Sequence, residues 1–235
     1  MAIAFDSHSG HYVTNGTLPL NLTWNHTCTG DDRILFVTAC QRPGFTISGV
    51  TYNGVSMTLV DSITGLAGFF DKIYLFVLVN PASGENVVSV SSAGVGQTYV
   101  YASAVSYTGA NQTGQPPHTN KGSTASATSY TLSIDTSASP STDNCWFVGA
   151  YYGDGNYTAS AGTGTTLRTT TETVRNWVGF VDNNVAITPP GSDSIVVAYS
   201  VASQIAIVGA SIAPVSAVAP SVAITQNNLA MLGVS

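Results

Sequence analysis

The chain has 235 residues, of which 44% are hydrophobic and only 8% are charged, with 6 Lys+Arg against 12 Asp+Glu. Soluble domains average about 25% charged residues, so uncharged polar residues replace much of the usual ionic surface. This composition excludes a solvated disordered protein, which needs high net charge and low hydrophobicity. It also excludes a nucleic-acid-binding protein of the usual electrostatic kind, because the chain cannot form a basic surface.

Residues 1–19 are interpreted as an N-terminal segment that precedes the folded domain. The segment opens with the weakly apolar run Met1–Asp6 and has neither a basic stretch nor a long apolar stretch after it. This pattern does not predict a secretory signal. We therefore expect the protein to fold in the cytoplasm of its host; the alternative is that the chain is a mature fragment.

Short runs of β-branched and aromatic residues, separated by Gly, Asn, Asp and Pro, fill the rest of the chain. No segment carries apolar residues at helical spacing over several turns, so the sequence predicts an all-β protein. The predicted strands are, in chain order, Leu20–Cys28, Arg33–Arg42, Phe45–Tyr52, Val55–Ser62, Lys72–Val79, Glu85–Ser92, Val100–Thr108, Ser129–Ile134, Cys145–Tyr152, Thr165–Thr173, Asn176–Val185, Ser194–Val201 and Ile205–Ala213.

Three turns between these strands carry specific signals. Asn53-Gly54 lies between two strands and predicts a type I′ hairpin, which needs positive φ at both central residues. The run at residues 30–32 predicts a second tight turn, and Asn80–Gly84 predicts a longer one in which proline fixes φ and glycine closes the reversal.

Strands at this spacing predict one β-sandwich domain over residues 20–215, with jelly-roll-like connectivity. Two packed immunoglobulin-like sandwiches are the alternative. The polar stretch 109–127, which contains Pro116-Pro117, is interpreted as a surface loop of a single sandwich; a linker between two halves is the other interpretation.

The stretch from Ser194 to Ser235 contains no Asp, Glu, Lys or Arg. Residues 195–213 approach the length of a membrane span, but four polar residues interrupt them and no Lys or Arg flanks them. We interpret them as two β-strands and predict no membrane association.

Residues 216–235 are predicted to form an extended C-terminal arm, because Pro214 and Pro220 bracket its start and proline removes a backbone donor from a sheet. If its six large apolar side chains each bury about 100 Å², burial stabilises by on the order of 10 kcal/mol, which the entropy of ordering the arm largely offsets. We therefore expect the arm to be ordered only against a neighbouring molecule. The predicted partner-binding residues are Val222, Ile224, Leu229, Met231, Leu232 and Val234.

A succession of strand and turn motifs resembles a module of tailed-phage and prophage structural proteins, and of some bacterial surface proteins. The motifs are, in order, LTWNHT at 22–27, DRILFV at 32–37, VTYNGVSMT at 50–58, YLFVLVNPASG at 74–84, AVSYTGA at 104–110 and IVGASIAP at 207–214. The resemblance covers residues 20–214 and implies a β-sandwich displayed on a particle or cell surface. These motifs are not catalytic, so the resemblance implies fold and setting more than activity.

The residues with metal-binding or catalytic chemistry do not form a recognisable pattern. His8 and His11 have a spacing that suits a metal, but no third ligand is apparent. His26 alternates with Trp24 on one strand face, where a histidine is expected to hydrogen-bond. The three cysteines are an odd number without metal spacing, which indicates buried free thiols; a Cys28–Cys40 disulfide between adjacent strands is the alternative. We predict no catalytic residues, no metal, no cofactor and no enzymatic activity.

One loop suits a carbohydrate ligand: Tyr151, Tyr152, Asp154 and Tyr157 combine aromatic rings with polar groups that can stack on and bond to sugars. The alternative is that the two adjacent tyrosines point one inward and one outward at a strand end, followed by an ordinary turn.

Three functions are consistent with the sequence. The first is a phage virion structural protein, a capsid decoration or cement protein that binds the major capsid protein, or another virion protein, and its own neighbouring copies. A trimer is expected by analogy with such proteins. The second is a tail or fibre module that binds host-surface glycans, and the third is a bacterial surface adhesin domain.

Overall fold

A computed structural model describes residues 2–64, 72–94, 97–154, 158–170 and 176–215. The described residues contain strands and no helix, so the prediction of an all-β sandwich is confirmed. The strands are β1 (Ala4–Thr17), β2 (Leu20–Cys28), β3 (Ile34–Gln41), β4 (Phe45–Tyr52), β5 (Val55–Ser56), β6 (Thr58–Thr64), β7 (Lys72–Val79), β8 (Gly84–Gly94), β9 (Gln97–Thr108), β10 (Thr119–Asp135), β11 (Trp146–Asp154), β12 (Ala159–Ala161), β13 (Thr166–Thr170), β14 (Asn176–Asp182) and β15 (Ser192–Ile212).

The strands form three antiparallel sheets. The central sheet has the order β1-β9-β3-β7-β6, the outer sheet has the order β2-β8-β4-β5, and the C-terminal sheet has the order β10-β15-β11-β14-β13, with β12 paired to β15. The jelly-roll likeness stays a prediction, and one observation supports it: from β1 to β4, and again from β7 to β9, each successive strand passes to the opposite sheet.

The central sheet is covered on both faces. One face, with Leu35, Val37 and Ala39 of β3, packs on the outer sheet. The other face, with Ile34 and Phe36, packs on the C-terminal sheet. All eight residues of β3 are therefore buried, which explains why this strand is an almost continuous apolar run without alternation.

The C-terminal sheet folds over on itself and encloses a third core. β10 pairs with β15 in two stretches separated by bulges near residues 124–129. The two halves of this bent ribbon pack against each other around residues such as Ile195, Ile207 and Phe147. Gly149 lies directly beneath the Ile195 side chain, so any larger residue there would collide with it.

The turn predictions agree with the structure. Asn53 and Gly54 have φ values of 49° and 75°, as a type I′ hairpin requires. Gly30 and Asp32 adopt positive φ in the predicted tight turn, as Asn80 does in the longer one.

Three boundaries differ from the sequence analysis. Residues 4–17, assigned to a segment ahead of the sandwich, form β1, whose Ala4 pairs with Thr108. Residues 119–127, which were predicted to form a surface loop, belong to β10. Their hydroxyl-bearing side chains are uncharged and suit an exposed edge strand. The two strands predicted between Ser194 and Ala213 are one long bent strand, β15. The chain therefore builds the central and outer sheets before residue 110 and the C-terminal sheet after it.

Candidate functional site

The last described residues lie at one end of the central sheet, which we call the attachment end and define as residues 2–4, 109–111 and 213–215. Ala110 forms an isolated bridge with Pro214. The Val215 amide donates to the Gly109 carbonyl at 2.8 Å, and the Asn111 amide donates to the Ala213 carbonyl at 2.8 Å. The backbone is therefore paired up to the last described residue.

The Gln115 side chain also binds the backbone at the attachment end. Its Nε2 donates to the Ala213 carbonyl at 2.7 Å, and its Oε1 accepts the Ala213 amide at 3.2 Å. A single amide side chain thus satisfies both backbone groups of Ala213, as a neighbouring strand would.

The predicted partner-binding residues Val222, Ile224, Leu229, Met231, Leu232 and Val234 lie outside the described residues. Pro214 bridges to Ala110, and the described residues end at Val215, so the arm over residues 216–235 stays a prediction.

A second surface feature lies toward the other end of the central sheet, and we call it the apical patch: Tyr12, Tyr99, Tyr101 and Arg42. Tyr101 is seven residues from Thr108, so it lies about 24 Å along β9 from the attachment end. Tyr12 pairs with Tyr101 in the sheet, and their rings stack at 5.7 Å with an interplanar angle of 9°. The Arg42 guanidinium lies 4.9 Å from the Tyr99 ring centroid.

Tyr12 is 42% exposed although Tyr101 beneath it is buried. Tyr12 was not predicted as a site residue, because residues 1–19 were predicted to lie outside the domain. The alternation of Tyr99 with Tyr101 was a usable signal, since residues two apart on a strand share a face.

The predicted carbohydrate loop is not supported. Tyr151 and Tyr152 are both fully buried, Tyr151 inside the C-terminal sheet and Tyr152 between that sheet and the central one. Their side chains do point to opposite faces, but the bent β10–β15 ribbon covers the face that was expected to be open. Asp154 is half-buried at the end of β11, and Tyr157 lies outside the described residues. Neither buried ring can stack on a sugar.

His26 is the centre of a polar network that joins the central and outer sheets. Trp24 Nε1 donates to Ser9 Oγ at 2.8 Å, and Ser9 Oγ lies 2.8 Å from His26 Nδ1. On the other side, His26 Nε2 lies 3.1 Å from Ser106 Oγ, which donates to Asp6 Oδ2 at 2.7 Å.

The donors in this network follow from its carboxylate end and from the pKa of His26. A carboxylate only accepts, so the Ser106 hydroxyl donates to Asp6 and accepts the Nε2–H of His26. His26 is 1% exposed, and burial lowers its pKa to about 4, so the ring is neutral near neutral pH. Nδ1 of the neutral ring therefore accepts the Ser9 hydroxyl, whose oxygen accepts the Trp24 indole N–H. His26 therefore hydrogen-bonds, as predicted, with partners in the opposing sheet, and its low pKa makes it a weak base near neutral pH.

The three thiols, Cys28, Cys40 and Cys145, are buried and free, which agrees with the sequence analysis. Burial raises the pKa of each, that of Cys145 to about 11. They are therefore protonated near neutral pH and unreactive as nucleophiles.

His8 and His11, the candidate metal ligands, are exposed on β1. Within the described ranges, no group of three or more His, Cys, Asp or Glu is arranged to hold a metal ion. The same residues contain no helix that is long and apolar enough to cross a membrane.

Two ion pairs among the described residues lie near the interface of the central and C-terminal sheets, and neither was predicted. Arg168 binds Asp182 through Nε–Oδ2 at 2.7 Å and Nη2–Oδ1 at 3.0 Å, and Tyr107 donates to the same carboxylate at 2.7 Å. Lys121 binds Asp61 at 2.7 Å on the opposite side of the interface. Asp182 is fully buried, whereas both partners of the second pair are partly exposed.

The solvent face of the outer sheet is almost uncharged. Its exposed positions include Asn21, Thr23, Asn25, Thr46 and Ser48. Glu85 is the charged residue among the described strands of this sheet, and its carboxylate accepts a hydrogen bond from Asn25 at 3.0 Å. The face therefore offers hydroxyl and amide groups to a partner and little electrostatic repulsion.

No protein-family model matches the chain, and no curated protein or solved structure is significantly similar to it.

Proposed function

We propose that the protein is a structural component of a phage virion, a capsid decoration or cement protein that binds the shell surface and neighbouring copies of itself. The observation that carries the proposal is the attachment end: a backbone paired up to Val215 continues directly into the uncharged segment 216–235. A folded domain that is followed by an uncharged, largely apolar segment suits a protein that binds neighbouring subunits.

The surface chemistry supports the same function. Several of the few charged groups are engaged within the chain: Asp182 with Arg168, Asp61 with Lys121, and Asp6 with Ser106 and Thr29. The solvent-facing side of the outer sheet presents hydroxyls and amides instead. Such a surface can approach another protein without the desolvation cost of many charges.

The neutral state of His26 and the protonated thiols favour a structural role over a catalytic one. His26 is a weak base near neutral pH, and the three cysteines are buried among apolar residues. We therefore propose a function in binding and assembly, with the major capsid protein or another virion protein as partner and a homotrimer as the assembled unit.

The tail or fibre module and the bacterial adhesin are the alternative settings. Copy number separates them from a decoration protein, which occurs in hundreds of copies per particle, whereas a tail module occurs in a handful. Cryo-electron microscopy of the particle that contains this chain locates the copies directly. Density at the tail alone would contradict a decoration role.

Deletion of residues 216–235 tests the arm. We expect the truncated protein to keep its melting temperature and to lose most of its binding to purified shells, because the proposed arm contacts a neighbouring molecule and not its own sandwich. Light scattering should show the full chain as a trimer and the truncated chain as a monomer. A truncated protein that unfolds would identify the segment as part of the core and contradict the arm.

Two full-length variants sharpen this test. Ile224→Asp places a charge at an apolar position of the arm and should weaken shell binding by about tenfold or more, since a charge is costly to bury. Ser221→Asp adds the same charge three residues away without removing an apolar side chain. If both variants bind the shell as the unmodified chain does, the arm does not carry the contact.

A further inference from the structure

We propose that the apical patch binds a pyranose ring of a surface polysaccharide, with Tyr12 as the stacking platform and Arg42 as the principal hydrogen-bond donor. This inference goes beyond the proposed function and does not depend on it. A virion protein attached at one end by its arm would present this patch away from the shell.

The geometry prepares the Tyr12 ring for a ligand before one arrives. The ring is stacked nearly parallel on buried Tyr101, which fixes its orientation, while 42% of Tyr12 remains exposed. Aromatic faces are electron-rich and attract the partly positive edges of neighbouring groups. The C–H groups on one face of a pyranose ring have this character, so a sugar ring can stack on the exposed part of Tyr12.

Arg42 supplies the polar half of the site. It follows Gln41, which pairs with Val100, and its guanidinium lies over the Tyr99 ring two residues before Tyr101. A guanidinium carries five N–H donors in one plane, so it can bind sugar hydroxyls in addition to its contacts within the protein. Tyr12 and Arg42 therefore lie on either side of β9, and stacking and donation come from one face of the central sheet.

The size of the patch favours a sugar over a protein partner. Tyr12 is the one large exposed hydrophobic side chain among the described residues of β1 and β9. A stable protein interface buries about 800 Å² on each partner, far more than one ring offers. One platform with one donor group matches one or two sugar rings.

The probes are maltoheptaose, N-acetylchitotetraose and a galacto-oligosaccharide, each titrated by saturation-transfer difference NMR and calorimetry against the full chain. We expect at least one of them to bind, with saturation transferred most strongly to its ring C–H protons. Tyr12→Ala should weaken that binding by about tenfold or more, whereas Tyr12→Phe keeps the ring and should change it less than about twofold. Arg42→Ala should also weaken it.

Val87→Ala is the matched control, because Val87 is 48% exposed on the outer sheet, away from the patch. Failure of all three saccharides to bind would overturn the proposal, as would binding that Tyr12→Ala leaves unchanged. Loss of shell binding by Tyr12→Ala, with no saccharide bound, would identify the patch as a protein contact and equally overturn it. Shell binding of the arm-deleted chain tests the proposed function separately.

Discussion

The buried ion pair between Arg168 and Asp182 tests how much a charged contact contributes to stability where the C-terminal sheet meets Tyr107 of the central sheet. It joins β13 to the end of β14 beside Tyr107 of the central sheet. We predict that Arg168→Met strongly destabilises the fold, because it leaves the fully buried Asp182 carboxylate without a positive partner.

The magnitude follows from burial. Removing one partner of a buried pair costs about 3–5 kcal/mol, because the remaining charge is desolvated and unpaired. Arg168 also stacks over the Phe5 ring at 4.4 Å, a contact worth about 1 kcal/mol at a partly exposed site, and methionine replaces part of it. For a chain of this size the loss corresponds to a midpoint lower by roughly 6 to 20 °C.

The second variant separates the charge from the packing. Asp182→Asn combined with Arg168→Met removes both charges and keeps an oxygen that accepts the Tyr107 hydroxyl. We expect this double variant to be more stable than Arg168→Met alone, because no unpaired charge remains. Urea denaturation followed by tryptophan fluorescence measures both, since Trp146 lies 6.0 Å from Tyr107 in the affected core.

Lys121→Met is the control, because it breaks a partly exposed ion pair that joins the C-terminal sheet to the central sheet. The Lys121 and Asp61 side chains are 45% and 30% exposed, so this pair should contribute about 1 kcal/mol or less. Equal losses for Arg168→Met and Lys121→Met would refute the argument that burial decides the difference. A double variant no more stable than Arg168→Met would refute the role of the unpaired charge.

Two further predictions concern the cores. Because burial lowers the pKa of His26 to about 4 from an ordinary 6.5, the unfolded chain binds more protons than the folded one between those pH values. The free energy of unfolding therefore carries no penalty from His26 above pH 6.5 and falls by about 3 kcal/mol as the pH decreases to 4. Urea denaturation at pH 5 and pH 7 should show a smaller difference in this free energy for His26→Gln than for the unmodified chain. An unchanged difference would show that His26 is not the group responsible. Gly149→Ala should lower the free energy of unfolding by about 1–3 kcal/mol, because the added methyl group collides with Ile195. Gly49→Ala is the control and should be close to neutral in the same assay, because its added methyl group meets open space. Similar losses in the two variants would contradict this account.

The sequence by itself determined the local structure. The bounds of Leu20–Cys28, Phe45–Tyr52 and Lys72–Val79 agree with the predicted strands, and the Asn53-Gly54 hairpin has the predicted turn. These features depend on neighbouring residues: side-chain shape favours an extended backbone, and particular residues favour a positive φ. The uncharged, largely apolar segment 216–235 is also a feature of the sequence, and its role as a docking arm stays a prediction.

The tertiary structure alone decided which faces are covered and which residues meet. Tyr151 and Tyr152 could not be recognised as buried, because the ribbon that covers one of them includes β15, more than 40 residues later in the chain. Tyr12 and Arg42 lie on one surface because β9 pairs with β1, which contains Tyr12, and with β3, which Arg42 follows. Sheet pairing joins residues as distant as Ala4 and Thr108, and a local pattern does not carry the identity of so remote a partner.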